Sequence, residues 1–353
     1  MANFEQGLEV GSSFAAFKDG KRIVDLAAGV AHPMTLEPYT RDTITLSFSG
    51  TKGFVAMCLA ILLDRGEIDL NEPVVRYWPE FGQHGKHTIT VRDVVTHRSR
   101  LPGIDVPVDF DDITHPQHIA AILAAQAPST DPRAGFCYHA LTYGWLCAEL
   151  VRRVDGRSIG TFFREEVAAP LDAEVWIGLP DDVLPRVSHL IPDPDWITNP
   201  ALNGERFSVD PLFRSIIGNP PILDPGDYRW NTRALRQAEM PASNGAGTAV
   251  GIASLYAGFP HLISLPTLNL VTSPLESGFD ETYNSHSTYG VGFSLKDDEP
   301  GRPAAVGGYG HAGNGGSVHG YWPASGIAYS YLPNLARKTE RAAPILDALS
   351  AAL

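Results

Sequence analysis

Apolar positions along the chain predict strands near both ends and helices between them. Residues 14–17 and 23–26 are apolar runs that flank Asp19 and Gly20, and this pair is a strong signal for a hairpin turn. The other predicted strands are 43–48, 289–295, 317–322 and 327–332, and the predicted helices are 50–65, 90–97, 116–127, 141–154, 248–259 and 335–353.

Residues 50–65 are apolar on nearly every side, which predicts a helix buried in the core. Together the elements predict an α/β fold, in which an antiparallel sheet built from both termini is flanked by helices and a mainly helical region is inserted. Residues 180–242 are dense in proline and aspartate with weak periodicity, so they predict either an ordered lid or partner-binding loops.

Composition narrows the function classes. The 353 residues include 40 acidic and 27 basic side chains, a formal charge of −13, which argues against a nucleic-acid partner. No apolar run reaches the roughly 18–20 residues of a membrane-spanning helix, and the N-terminus has no signal-peptide pattern. Three cysteines are too few for a disulfide framework, and Cys58 and Cys147 lie in apolar segments where buried thiols are expected. We expect a cytoplasmic protein.

Ser49 and Lys52 carry the first chemical signal, because they stand three residues apart where a predicted strand meets the buried helix. This spacing places both side chains on one helix face, beside the positive end of the helix dipole. A serine hydroxyl becomes a useful nucleophile when a neighbour accepts its proton, and a lysine can do so if burial lowers its pKa. A serine cap followed by an exposed lysine is the alternative reading of this pattern.

The sequence from Ser49 to Gly53, and the stretch 63–74 after it, resemble the serine β-lactamase and penicillin-binding-protein superfamily. Further similarities follow in order along the chain, and together they resemble most the class C-like branch of family VIII carboxylesterases. They are 77–80, 85–86, 88–92, 97–98, 101–102, 138–144, 170–171, 310–313 and 315–317. The resemblance implies one β-lactamase-like catalytic unit over 1–353, with 1–75 and 245–353 forming the sheet part and 76–244 the insertion.

The resemblance also implies roles for individual residues. Ser49 would be the acylated nucleophile, Lys52 its proton acceptor and Tyr138 the tyrosine that completes the proton relay. Backbone amides of Ser49 and Asn314 would form the oxyanion hole. Whether Lys52 or Tyr138 takes the serine proton stays open at this stage, since the two groups can titrate as a coupled pair.

Two departures from the lactamase and peptidase pattern bear on the substrate. Ala140 stands where those enzymes usually have asparagine, and His311 replaces the lysine that would hold a substrate carboxylate. We therefore expect a neutral carboxylic ester or acyl donor, bound near His311, Ala312 and Gly313. Tyr309 and Trp230 are further candidates for the substrate pocket.

Several alternatives remain at the level of the sequence. A small amine or alcohol in place of water would make the protein an acyltransferase or transacylase. A β-lactamase, a D-Ala-D-Ala peptidase and a non-catalytic binding protein are less favoured. The oligomeric state and the acyl donor are not indicated.

Other motifs lead to no cofactor. Residues 308–313 match a dinucleotide-binding glycine pattern, but a predicted strand follows where that motif needs a helix. The pairs His84 with His87 and His115 with His118 have no completing ligand and are expected to be solvated, so no metal is predicted. Residues 243–248 are expected either to form a tight loop beside the active site or to be a structural turn.

Overall fold

The computed structural model describes residues 2–192, 208–221, 228–296, 301–337 and 341–352. Its strands are β1 Gly11–Lys18, β2 Lys21–His32, β3 Glu37–Pro38, β4 Thr45–Leu46, β5 Val175–Trp176, β6 Ile191–Pro192, β7 Ala246–Gly247, β8 Glu276–Asp280, β9 Ser285–Tyr289, β10 Ser294–Lys296, β11 Gly308–Ala312, β12 Val318–Trp322, β13 Ile327–Pro333 and β14 Leu335–Ala336. Its α-helices are α1 Ala2–Glu5, α2 Thr51–Asp64, α3 Val91–Val95, α4 Phe110–Ile113, α5 Pro116–Ala125, α6 Thr142–Asp155, α7 Ile159–Phe163, α8 Pro211–Gly218, α9 Arg233–Gln237, α10 Ala249–Gly258, α11 Leu265–Val271 and α12 Ala343–Ala351.

Among these residues, the main sheet has nine strands in the order β3-β2-β1-β13-β12-β11-β10-β9-β8. Neighbouring strands pair antiparallel, and inside the sheet β1 pairs with β13, so that Ser12 lies opposite Pro333 and Lys18 opposite Ile327. A smaller sheet, β4-β7-β5, brings the residues before α2 next to the loop before α10. The predicted antiparallel sheet, built from both ends of the chain and flanked by helices, is confirmed.

The two faces of the main sheet bury different side chains because residues alternate along each strand. Ala15 of β1 faces the main core, on the side where α10 packs against β1, β12 and β13. Phe14, Tyr329 and Tyr331 face a second cluster closed by Leu346 of α12. The main core also holds α2, which is buried from Thr51 to Leu62 as its uniformly apolar sequence predicts.

Several sequence predictions are confirmed. The first hairpin is present, and Asp19 and Gly20 have positive φ angles of 48° and 75°, as a two-residue hairpin turn requires. Thr90 and Asp93 form a capping box at the start of α3. The helices predicted at 116–127, 141–154 and 248–259 correspond to α5, α6 and α10. All three cysteines are buried and free.

Other predictions are wrong in their bounds. Only Thr45–Leu46 of 43–48 is strand, because the backbone turns at Phe48, whose φ is 47°. Residues 289–295 are not one strand, since the chain leaves the sheet after β9 and returns at β10, with Gly292 at φ 74° between them. The segment predicted as the last helix begins as strand β14, and the helix starts only at Ala343. The helix predicted over 90–97 ends at Val95.

The proline-rich segment falls partly outside the described residues, at 193–207 and 222–227. Its described part includes a 3₁₀ helix at Asp181–Arg186, β6, α8 and α9. Phe213 and Ile217 of α8 pack in one cluster with Tyr138 and Ala140. This segment therefore covers the part of the molecule that carries Tyr138.

The described residues form no helix with the length and apolar character needed to cross a membrane. In the same parts of the chain, no group of three or more His, Cys, Asp or Glu side chains is placed to hold a metal ion.

Candidate active site

Ser49 lies in a short 3₁₀ turn, Phe48–Gly50, that leads directly into α2. The turn is fixed to the loop before β7, because the amide of Ser47 donates to Gly245 O over 2.8 Å and the amide of Gly245 donates to Thr51 Oγ1 over 2.8 Å. Gly50, not Ser49, is the N-cap residue of α2, and no side chain caps the helix. The hydroxyl of Ser49 is therefore not used as a helix cap.

Lys52 is fully buried one helical turn after Ser49. Its Nζ lies 2.7 Å from Ala140 O, 3.1 Å from Ala242 O and 3.4 Å from Ser49 Oγ. Burial lowers the pKa of Lys52 well below its usual value, and the nearby Cys147 opposes this shift. A neutral amine has two N–H donors and one lone pair. In the neutral form the two carbonyls occupy both donors, and the lone pair is left for the Ser49 hydroxyl.

Tyr138 lies next to Lys52, whose Nζ is 4.6 Å from the centre of the tyrosine ring. Burial raises the pKa of Tyr138 well above its usual value, and the neighbouring Ser49 hydroxyl offsets part of this increase. The Tyr138 hydroxyl makes no hydrogen bond with other described residues. It is therefore a neutral phenol next to Ser49, with its donor and its acceptor both available.

The backbone of Tyr138 is held by the hairpin between β8 and β9. Its amide donates to Asp280 Oδ1 over 2.9 Å, and its carbonyl accepts from Thr282 Oγ1 over 3.0 Å. Asp280 is fully buried, and burial raises its pKa. The hydroxyl of Tyr289 donates to Asp280 Oδ2 over 3.3 Å.

His139 is a structural neighbour of Tyr138. Its Nδ1 lies 2.7 Å from Cys137 O and its Nε2 lies 2.9 Å from Ser99 Oγ, so both ring nitrogens are bonded inside the protein. The ring fixes the backbone on either side of Tyr138. His139 therefore helps to position Tyr138.

His311 lies on strand β11, beside the ring of Tyr138. Its Nδ1 donates to Ala312 O over 2.7 Å, which leaves the lone pair on Nε2, and Nε2 has no hydrogen-bond partner among the described residues. Burial, together with the nearby Lys52, lowers the pKa of His311 to about 3. The imidazole is therefore a neutral hydrogen-bond acceptor and not a cation.

Gly313 and the turn after it approach the nucleophile closely. A Cβ on Gly313 would lie 2.1 Å from Ser47 O, so no larger residue fits there without a backbone shift. Ser317 Oγ donates to the same carbonyl over 2.8 Å. Asn314 lies in the turn that directly follows β11, between these two contacts. This packing places the backbone amide of Asn314, the second group of the predicted oxyanion hole, close to the turn that holds Ser49.

The two other predicted pocket residues lie in the core. Tyr309 is buried among the rings of Tyr256, Phe293 and Tyr321. Trp230 is buried and packs edge-on against Phe48, with ring centres 5.1 Å apart. Trp230 therefore supports Phe48, the residue before Ser49.

Some functional contacts were not indicated by the sequence. Asp280 and Thr282 belong to β8 and to the hairpin turn, which the apolar pattern did not predict. Ala242 O lies 3.1 Å from Lys52 Nζ and the amide of Gly245 donates to Thr51 Oγ1, so the loop 243–248 lies beside Lys52 and the turn that holds Ser49.

The chain is similar to several known proteins. The model of the family described as Beta-lactamase matches residues 2–352. The chain is 31% identical to Esterase/beta-lactamase LipL of Mycobacterium tuberculosis, over 92% of this chain and 77% of that protein. It is similar to the crystal structure of a family VIII carboxylesterase, with a TM-score of 0.89 and 29% identity over 99% of this chain and 94% of the other. A penicillin-binding-protein homologue from Caulobacter crescentus is similar at a TM-score of 0.84 and 30% identity, over 100% of this chain and 95% of that one.

Proposed function

The chain belongs to the beta-lactamase family and is a carboxylesterase-like serine hydrolase, and we propose that it cleaves small neutral esters through an acyl-enzyme on Ser49. The observation that carries the proposal is the set of contacts around Lys52. Its buried Nζ donates to two carbonyls and lies 3.4 Å from Ser49 Oγ.

The first half-reaction follows from these contacts. Lys52 accepts the hydroxyl proton of Ser49 as Oγ attacks the ester carbon. Backbone amides of Ser49 and Asn314 stabilise the oxyanion. The carbon–oxygen bond to the leaving alcohol then breaks, and the Lys52 proton reaches that alcohol through the Tyr138 hydroxyl. The raised pKa of Tyr138 supports this division of roles, because a neutral phenol relays protons better than it removes one from serine.

Two features support a neutral substrate. His311 is uncharged and offers a lone pair where a cation would bind a carboxylate. Ala140 contributes its carbonyl to Lys52 and has only a methyl side chain, so it cannot bind a substrate amide in the way an asparagine side chain does. Both features favour esters without a carboxylate over β-lactams and peptides. A nitrocefin assay tests this point, and rapid hydrolysis that depends on Ser49 would contradict it.

Intact-mass spectrometry after brief exposure to a short-chain p-nitrophenyl ester tests the nucleophile. We expect one acyl adduct on the wild type and none on Ser49→Ala. Ser254→Ala is the matched control, because Ser254 bonds only Gly251 O of its own helix α10 at 2.8 Å. An adduct on Ser49→Ala, or none on the wild type with several esters, would overturn the proposal.

The same experiment addresses the acceptor. Small amines and alcohols are added to the preformed adduct, and the products are identified by mass. Free acid as the only product supports an esterase. Faster loss of the adduct with formation of an acylated amine or alcohol would identify a transacylase.

A further inference from the structure

The hairpin turn after β8 carries a second tyrosine onto Tyr138. The ring centres of Tyr138 and Tyr283 are 4.7 Å apart, with 36° between the ring planes. Asp280 ties the two segments together, because its Oδ1 accepts from the amides of Tyr138 and Thr282, each over 2.9 Å. The turn and the catalytic tyrosine are therefore held as one unit, and the mechanism described above makes no use of Tyr283.

Tyr283 is half-exposed, with 51% of its surface accessible. Its ring packs against the ring of Tyr138, and the centre of the Tyr138 ring lies 4.6 Å from Lys52 Nζ. Exposure rises along this row of side chains, because Lys52 and Tyr138 are buried and Tyr283 is not. Tyr283 therefore lies on the solvent side of Tyr138.

We propose that Tyr283 is a further catalytic residue, which binds the acyl acceptor in the second half-reaction. This inference rests on the proposed acyl-enzyme at Ser49. The acceptor oxygen forms a bond to the acyl carbon, and the bond from that carbon to Ser49 Oγ breaks. The acceptor gives its proton to the Tyr283 oxygen, Tyr283 gives one to Tyr138, and Tyr138 gives one to Ser49 Oγ. Each tyrosine gains one proton and loses one, so the charges and atoms balance.

The unbonded hydroxyl of Tyr138 supports this role, because it has no competing partner among the described residues. Hydrogen bonds of catalytic groups are often long in a free enzyme and shorten when the reacting molecule binds. Tyr283 is also positioned on the solvent side, from which water or another acceptor must arrive.

A p-nitrophenyl ester separates the two half-reactions, since p-nitrophenolate leaves as an anion and needs no proton. In stopped-flow experiments on Tyr283→Phe, we expect the burst of p-nitrophenolate to keep its rate within about twofold, whereas deacylation slows by about tenfold to a hundredfold, at the lower end of proton-transfer contributions. Decay of the isolated acyl-enzyme is followed by intact mass, so the rate is obtained even where no burst is visible.

The solvent isotope effect gives a readout that a packing defect would not change. We expect wild-type deacylation to be slower in D2O, with a curved dependence on the deuterium fraction, and this curvature should become linear in Tyr283→Phe. Phe279→Leu is the matched control, because Phe279 is an aromatic residue on β8 of the same hairpin and is 47% exposed. It should leave both half-reactions unchanged.

Three outcomes would overturn the role of Tyr283: an unchanged deacylation rate in Tyr283→Phe, an equal loss in both half-reactions, or the same loss in Phe279→Leu. Failure of the underlying function looks different, because no adduct would then form at Ser49 in the wild type. The two proposals are therefore tested separately by one set of samples.

Discussion

Lys52 and Lys86 are the two lysines that are fully buried in the described part of the chain. Each Nζ donates to two backbone carbonyls, Ala140 and Ala242 for Lys52, and Ala124 and Gln126 for Lys86. Each also lies near an aromatic ring. Burial lowers the pKa of both, but that of Lys52 by much more.

Desolvation is the cause in both cases, and the two lysines also differ in their places on helices. Lys52 is in the first turn of α2, where the positive end of the helix dipole disfavours an ammonium group. Lys86 bonds carbonyls at the end of α5, where the negative end of the dipole favours one. Burial with carbonyl partners is therefore not enough to identify a base. The helix end and the serine hydroxyl at 3.4 Å distinguish Lys52, the proposed base, from Lys86.

The largest effect is expected from replacing each lysine in turn. Lys52→Met should lower kcat/KM for a short ester by about 10³-fold or more, because the proton acceptor is lost. Lys86→Met should leave kcat/KM near wild type but destabilise the fold by about 1–3 kcal/mol, since two carbonyls lose their donor. Steady-state kinetics and thermal unfolding of both variants check this. Equal losses of activity in the two variants would show that Lys52 and Lys86 do not differ in function.

A smaller effect should follow when Lys52 is kept and the support of Tyr138 is weakened. The Asp280 carboxylate accepts hydrogen bonds on both of its oxygens. In Asp280→Asn one oxygen is replaced by an NH2 group, so some of these bonds are lost and the backbone of Tyr138 is held less firmly. We expect kcat to fall by roughly 10- to 100-fold with little change in KM, as for a displaced proton donor. Asp347→Asn on α12, an exposed carboxylate that pairs with Arg302, is the control. A rise in KM alone would argue against a positioning role.

His311→Lys sharpens the electrostatic part of the comparison. A cation there would favour carboxylate-bearing esters over neutral ones by about 10-fold, a change of about 1.4 kcal/mol. It would also lower the pKa of Lys52 further, because like charges disfavour each other. Activity needs neutral Lys52, so it falls as the pH falls through that pKa, and the acid limb of kcat/KM should move to lower pH. An acid limb that stays in place would show that Lys52 does not control it.

The smallest effect is expected on the pH dependence of stability. It concerns His319, a buried residue that has no part in the proposed reaction. Burial, together with His311, lowers the pKa of His319 to about 3. The unfolded chain binds a proton at this residue below pH about 6.5, whereas the folded chain does not. Stability is therefore full above pH 6.5 and is lost as the pH falls toward 3, by about 2 kcal/mol at pH 5. His319→Gln should flatten this part of the curve of unfolding temperature against pH. An unchanged slope would contradict the assignment.

The sequence was most informative where contacts are local. Ser49 and Lys52 are three residues apart, in the turn before α2 and in its first turn, so their spacing alone was enough to predict that they lie close together. The turn at Phe48 could not be predicted, because its positive φ is imposed by contacts with distant loops. The hairpin of β8 and β9 was missed because its residues are mostly polar or half-exposed, with no clear apolar alternation.

Tyr138 shows the limit most clearly. Its resemblance to a family motif indicated its role, but its partners come from a hairpin more than a hundred residues later in the chain. No local pattern connects Asp280 with Tyr138, since the connection exists only after the sheet edge has formed. The same holds for the carbonyl of Ala242 that bonds Lys52.

The pairing of β1 with β13 inside the main sheet has a consequence for folding. The register joins Ser12 with Pro333 and Lys18 with Ile327, so the two strands are far apart along the chain. Contacts between residues so far apart in sequence form slowly, because the intervening chain must first be brought into place. In refolding experiments, we therefore expect esterase activity to return later than the signal of the local helices.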